Sequence, residues 1–376
     1  MTAIITQPNT MEKLQTLGRD GQYDLACSCG TGKDEHRKRG SDGNWIYPVS
    51  LPNGRSTVLF KTLISNTCGN DCRYCPLRGN SDVRRCSLGI DETANYFIDN
   101  LNAGRVFGMF LSSGVTGNAD KTMERINAIA DRVRRKHRFR GYIHLKIIPG
   151  ASPAAIEETL RLASSVSINI ETPGAEYLSK LSHKKDFLKD IVEPMKLISK
   201  LTAKGAPYER IRQTTQFIVG AAGENDKQIV RYMGRLYNGL KLDRVYFSAY
   251  QSLAGSDPLP GDTEMPANRL MREHRLYQTD FLMRKYGFSD TDILFDTSDR
   301  LSLDKDPKQL WADAHPEFYP INLNRADKQT LLRIPGLGPR AAKMILDYRK
   351  TDRVNRLEDV IRPGKLLQKA QGYVTY

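Results

Sequence analysis

Between Thr57 and Ala249 the chain alternates short runs of β-branched residues with longer stretches in which apolar residues recur every three to four positions. The runs with strand character are Thr57–Ile64, Val106–Leu111, Gly141–Ile148, Ser165–Ile170, Arg212–Val219 and Arg244–Ala249. Helical periodicity fills the gaps at Asp91–Leu101, Lys121–Lys136, Pro153–Leu162, Leu188–Ala203 and Lys227–Tyr237, with a last helix near Ala267–Tyr286. Strand and helix in strict alternation imply parallel pairing through right-handed crossovers. Six such units fall short of the eight that close a barrel. The expected class is therefore α/β, a partial (βα)6 TIM-like barrel, with its chemistry at the C-terminal ends of the strands.

The flanks read differently. Residues 1–56 are rich in Gly, Asp and Asn and predict an irregular extension. The core then spans 57–290, a Pro- and Asp-rich connector 291–320, and a small all-α unit 321–376. No solenoid repeat and no low-complexity tract interrupts them.

Charge sharpens this division. The 376 residues carry a net charge of +14. From Ile321 onward twelve Lys or Arg face five Asp or Glu, so half of the excess sits on the last unit. Polyanions are the first partners to consider. No apolar run approaches the ~20 residues of a membrane span, and Met1–Gln22 lacks the apolar core of a signal peptide. A cytoplasmic protein without membrane contact is expected, its six cysteines serving as metal ligands or free thiols rather than disulfides.

Directly after the first strand comes Thr67-Cys68-Gly69-Asn70-Asp71-Cys72-Arg73-Tyr74-Cys75-Pro76. A loop of this length can turn three thiolates toward one centre. Four-iron clusters take Cys thiolates as ligands, and three leave one iron open to a substrate or cofactor. A structural zinc site is the alternative, but it ordinarily needs four ligands. Unrelated thiols are the other. Cys27, Cys29 and Cys86 read as ligands of a second cluster, as a hydrogen-atom donor, or as free thiols packing like small hydrophobes.

The triplet, with an aromatic before its last cysteine, resembles the signature of the radical S-adenosylmethionine superfamily. The resemblance implies that Cys68, Cys72 and Cys75 hold a [4Fe-4S] cluster whose free iron chelates S-adenosylmethionine. It also implies that Tyr74 lies on the adenine side. Ser112-Ser113-Gly114 ends the second strand where relatives hold the methionine ammonium, with Ser-Ser-Gly in place of the commoner Gly-Gly-Glu; a plain strand-ending turn is the alternative. Asn169 and Glu171, on one face of the fourth strand by period two, stand where relatives bind ribose or carboxylate; the alternative is an Asn and Glu already at the exposed strand end. Ile218 and Gly220 on the fifth strand, and Tyr250 after the sixth, match adenine-backing positions of the family, with a plain core role for both strands as the equal alternative. Glu224 falls one place late for the family's Glu and reads equally as a helix cap. His144 and Lys146 alternate on the third strand, toward the barrel mouth or in salt bridges. The Arg132–Arg140 run reads as a solvated helix end, with a secondary DNA patch as its functional reading.

The last unit holds a second pattern. Asp327 can cap a helix through Leu332, Pro335-Gly336 stops it, Gly338 turns the chain, and Pro339 opens another helix. Backbone N–H groups at such a helix start bind phosphate without reading bases, with Arg340 and Lys343 adding charge. This resembles a helix-hairpin-helix module, and Arg356–Lys369 resembles a degenerate second hairpin. A small helical domain for protein contacts is the plainer reading.

The combination resembles a bacterial family of radical S-adenosylmethionine proteins tied to DNA modification or repair, encoded beside a uracil-DNA-glycosylase-like protein. That resemblance implies DNA contact through the sugar–phosphate backbone, that protein as a partner, and an electron donor such as flavodoxin or ferredoxin. Other readings are a DNA-binding protein whose cluster senses or stabilises, and an enzyme acting on RNA or protein.

Overall fold

In a computed structural model, residues 8–21, 45–50, 56–252 and 257–376 are described. Cys27 and Cys29 fall outside them. The chain divides into two compact units, Met1–Glu224 with Arg235–Leu270, and Asn225–Gly234 with Met271–Tyr376.

The first unit is built on a seven-stranded sheet in chain order: β1 Ile46–Ser50, β2 Ser56–Leu63, β3 Gly108–Ser112, β4 Tyr142–Lys146, β5 Ser165–Ser167, β6 Arg212–Val219 and β7 Arg244–Ala249. β1 runs antiparallel to β2, and every later pair is parallel. The sheet curls into an open half-barrel with flanking helices, as the six-unit alternation predicts. The helices begin with α1 Thr10–Asp20, α2 Ile90–Asn102, α3 Ala119–Arg135, α4 Pro153–Leu162 and α5 Ala175–Leu181. A π-helix Phe187–Val192 runs into α6 Glu193–Leu201, while α7 Asp226–Leu240 and α8 Pro266–Lys285 each carry residues of both units.

Local chemistry sets these boundaries. Asn118 caps α3 by accepting from the Lys121 amide at 2.8 Å, and Pro153 opens α4 behind the Ser152 cap. The apolar stripe Met123, Ile126, Ile129 and Val133 buries one side of α3. Phe60 of β2 meets Phe97 of α2 at 5.9 Å between ring centroids, which fixes the sheet face that the helices cover. Among the described residues no helix is long and apolar enough to cross a membrane.

Four features depart from the pattern reading. Residues 1–56 contain α1 and β1, so they are not wholly irregular. Pro48 hides β1 because it cannot donate to a ladder, a defect tolerated in this edge strand. β5 stops at Ser167 because the Thr215 hydroxyl intrudes on its pairing, donating to Ile168 C=O at 2.7 Å and accepting from the Ile170 amide at 2.9 Å. The helix expected from Leu188 opens with a π turn. Arg134, read as part of a solvated face, donates to the carbonyls of Leu162, Phe139 and Gly141 at 2.8–3.0 Å.

The second unit includes α9 Pro307–Ala314, α10 Lys328–Arg333, α11 Pro339–Tyr348 and α12 Lys365–Gln371. Leu331, Leu332, Ile334, Leu337, Ile345 and Leu367 form its core. Two short strands that the pattern does not announce, β8 Ile321–Asn322 and β9 Val374–Thr375, pair in parallel. The second hairpin starts with a 3-10 turn, Leu357–Asp359, in place of a helix.

Candidate functional site

The cysteine loop leaves the C-terminal end of β2 and is pinned on two sides. On one, Gly114 donates to Ser65 C=O at 2.7 Å and Gly69 to Val115 C=O at 2.8 Å. A Cβ on Gly114 would stand 2.5 Å from the Thr67 carbonyl oxygen and 3.1 Å from Cys68 Cβ, so only glycine admits this approach. On the other side, Asp71 accepts from the Ser182 hydroxyl at 2.5 Å and the His183 amide at 2.9 Å. Burial pushes the Asp71 carboxyl up, but these bonds outweigh it and hold it below the ordinary carboxylate range. The Arg73 amide donates to Leu181 C=O at 2.8 Å, and the Lys184 ammonium to Gly69 C=O at 2.7 Å.

Within this frame Cys72 is buried, while Cys68 and Cys75 are half-buried. Among the described residues no three His, Cys, Asp or Glu side chains converge on a single metal ion. The three sulfurs are nonetheless near enough to feel one another's charge. Burial and then the Cys72 charge push the Cys75 thiol up to about 12. Burial raises Cys72 too, against the pull of Lys185. Iron would reverse both, because a coordinated thiol is deprotonated. The fourth described cysteine, Cys86, is free and half-buried. Burial, then the nearby Asp20 charge, raises its thiol.

Beside Cys72 lies a buried polar group that motif reading partly missed. The Lys185 ammonium sits 3.6 Å from the Glu171 carboxylate, both side chains under a tenth exposed. It hydrogen-bonds Cys72 and reaches the Tyr74 hydroxyl at 3.5 Å. Burial alone would lower its pKa, but the Cys72 and Glu171 charges hold it above the ordinary lysine value. Burial and then the Glu171 charge raise the Tyr74 phenol. Glu171 has a φ of +64°, so strict alternation with Asn169 does not reach it. Its Oε2 is buried without a hydrogen-bond partner, an acceptor left for a ligand's donor. The sequence signal for Lys185 is faint: a basic triplet, His183-Lys184-Lys185, between two helices.

The other expected positions fall as follows. Tyr74 packs with Ile218 and Tyr250 in one apolar group that includes Leu181, Ala222 and Leu259. Ser112 and Asn169 are buried, and Ser113 turns its hydroxyl onto Gly114 C=O at 2.7 Å. Gly220 takes a φ of +87°. Glu224 does not cap α7. Its carboxylate accepts from the Gly220 amide and, at 3.0 Å, from the Ala222 amide, folding the turn after β6. Asn225 and Gln228 supply the cap by reciprocal bonds of 2.9 and 3.0 Å.

In the second unit, Asp327 caps α10 by accepting from the Thr330 amide at 2.7 Å. Gly336 has a φ of +84°, and a Cβ there would stand 2.2 Å from the Leu366 carbonyl oxygen. Gly338 caps α11, from which Arg340 and Lys343 project exposed. Lys308, buried on α9, donates its ammonium to Leu337 C=O inside the hairpin at 2.5 Å.

Residues 62–236 match the model of the Radical SAM superfamily, and residues 317–375 that of the helix-hairpin-helix motif. No curated protein matches the chain. Among solved structures, the chain is similar to the FeFe-hydrogenase maturase HydG from Carboxydothermus hydrogenoformans, at 15% identity and a TM-score of 0.43, covering 58% of this chain and 51% of that one. It is similar to methylornithine synthase PylB at 15% identity and a TM-score of 0.43, covering 57% and 62%. It is also similar to OxsB, a cobalamin-dependent S-adenosylmethionine radical enzyme, at 12% identity and a TM-score of 0.38, covering 81% and 50%. The chain thus spans between half and two thirds of the length of these structures. The protein carries a radical SAM superfamily domain followed by a C-terminal helix-hairpin-helix motif.

Proposed function

We propose that this protein is a radical S-adenosylmethionine enzyme that acts on DNA. Cys68, Cys72 and Cys75 would hold a [4Fe-4S] cluster, which would supply the one electron that cleaves the sulfonium C–S bond of S-adenosylmethionine into methionine and a 5′-deoxyadenosyl radical. One observation supports this most: three thiols on the loop after β2, pinned beside an unpartnered, buried Glu171 oxygen.

The chain's own residues do the holding. Glu171 Oε2 accepts a ligand N–H or O–H, and Lys185 orients Glu171 while donating to the Cys72 sulfur. Ser112, Ser113, Gly114 and Asn169 form the polar wall at the strand ends. Tyr74, Ile218, Gly220 and Tyr250 form an apolar wall that excludes water from an adenosyl group. Gly336 and Gly338 shape the hairpin, and Arg340 and Lys343 face phosphates of the DNA backbone without reading bases. A flavodoxin or ferredoxin would supply the electron in the cytoplasm, and a uracil-DNA-glycosylase-like protein is the proposed partner.

Anaerobic reconstitution tests this reading. Reduced protein given S-adenosylmethionine should release 5′-deoxyadenosine, and alanine at all three cysteines should abolish both release and bound iron and sulfide. Iron and sulfide retained by the triple variant would refute the ligand set. Cluster assembly without release, even with duplex or single-stranded DNA, RNA or protein substrates present, would point to a sensing or structural cluster.

A further inference from the structure

Parallel sheets covered on both faces read as near-continuous apolar runs. Here only the helix-facing register does so, with Phe60, Met109, Ile143, Val166, Phe217 and Phe247 fully buried. The opposite register, on the inner side of the half-barrel, carries Lys61, Phe110, His144, Lys146, Gln216 and Tyr246. Every Lys and Arg in β2 to β7 (Lys61, Lys146, Arg212 and Arg244) stands in that register, and these strands contain no Asp or Glu. Glu171 and Asp243 flank the strands without lying in them.

Rings are interleaved with the charge. The Lys61 ammonium lies 4.7 Å from the Phe110 ring centroid. Phe110 stacks on His144 at 4.4 Å, and His144 Nε2 is 2.9 Å from the Ser167 hydroxyl. A second, independent observation comes from Gln216. It is 6% exposed, and its buried amide nitrogen has no hydrogen-bond partner. A donor left unmade in the interior is costly, so this one points to an acceptor brought by a ligand.

We propose that the inner face of the half-barrel is a nucleotide site. It takes a nucleoside 5′-phosphate unit, either free or extruded from a nucleic-acid strand, with the strand cations and Gln216 meeting phosphate oxygens and the base lying against the Phe110–His144 pair. Positive charge alternating with aromatic faces is the usual platform for unpaired nucleotides, and enzymes that work on a base take it out of the stack. The inference rests on the reading of the half-barrel as the reaction chamber. It adds that the reacting nucleotide is gripped by the sheet, not by the helix-hairpin-helix motif.

Calorimetric titration of the full-length chain, without S-adenosylmethionine, tests the site with thymidine 5′-monophosphate, thymidine, inorganic phosphate and a five-residue oligothymidylate. Thymidine 5′-monophosphate should bind at least about tenfold more tightly than thymidine or phosphate. Measured in the Arg340→Ala/Lys343→Ala variant, so that the hairpin's cations do not contribute, tighter binding of the oligonucleotide than of the monophosphate would identify a strand as the source, and equal binding a free nucleotide. Lys61→Met and Gln216→Leu should each weaken binding of the monophosphate about tenfold, while Arg340→Ala with Lys343→Ala leaves it unchanged. Gln216→Leu removes an amide whose nitrogen has no partner, so it reports even if Lys61→Met fails to fold. Unchanged affinity in Gln216→Leu, loss in the double Arg340/Lys343 variant, or no binding of either thymidylate ligand overturns the site. Release of 5′-deoxyadenosine without nucleotide binding would sink this inference alone; binding without release would sink the radical reading alone.

Discussion

Lys308 donates to the hairpin carbonyl of Leu337 from within the core of the second unit, and burial drops its pKa to about 7, with the Lys369 charge adding and Asp306 opposing. The unfolded chain keeps this proton up to the ordinary lysine value of about 10.4. Between those values the unfolded state binds more protons, so stability rises with pH from about 7 to about 10 and is flat below. The slope is at most roughly 1.4 kcal/mol per pH unit. Denaturant unfolding at pH 7, 8 and 9 should show it in the parent, and Lys308→Met should flatten it. Lys185 is the second residue whose removal speaks clearly. Lys185→Met strands the buried Glu171 carboxylate and should cost about 3–5 kcal/mol. Adding Glu171→Gln should recover much of that loss, and additive losses in this double-mutant cycle would mean the pair is not formed. Neither lysine stands out in a linear reading. A buried lysine is written with the same letter as a solvated one, and only the surrounding fold sets it apart.

Among elements, the cysteine loop carries the sharpest prediction. Gly114→Ala places a methyl against the Thr67 carbonyl and Cys68 Cβ, where only movement of the loop relieves it. Iron bound after reconstitution should fall several-fold while far-ultraviolet circular dichroism keeps its shape, and full iron loading would show that the loop gives way freely. The loop's position after a strand was legible, because three cysteines and a strand–helix rhythm survive without any tertiary information. The end of β5 was not. A hydroxyl from the neighbouring strand, Thr215, takes over its pairing, and no residue within Ser165–Glu171 announces that. Glu224 misled for a related reason: a carboxylate before a helix reads as a cap, yet two backbone amides of the preceding turn are closer claims on it.

For the whole molecule, the charge distribution is the property that experiment reaches most directly. Binding to duplex DNA should weaken with salt, and removing Arg340 and Lys343 together should reduce the slope of log affinity against log salt by about 0.9 for each phosphate no longer neutralised. An unchanged slope would take those side chains off the DNA. The architecture itself was readable at this scale, since the alternation of elements and the shift in charge along the chain are long-range patterns that tolerate local error. The parallel pair β8 and β9 escaped because two-residue strands leave no periodic trace. The cysteine loop is held to the rest of its unit by protein groups alone: Asp71 to Ser182 and His183, Arg73 to Leu181, and Lys184 to Gly69. Small zinc modules are limp until their metal draws them together. This loop is anchored instead by its own protein groups, so alanine at Cys68, Cys72 and Cys75 together should leave the cooperativity of unfolding almost untouched, which a denaturant titration reads directly.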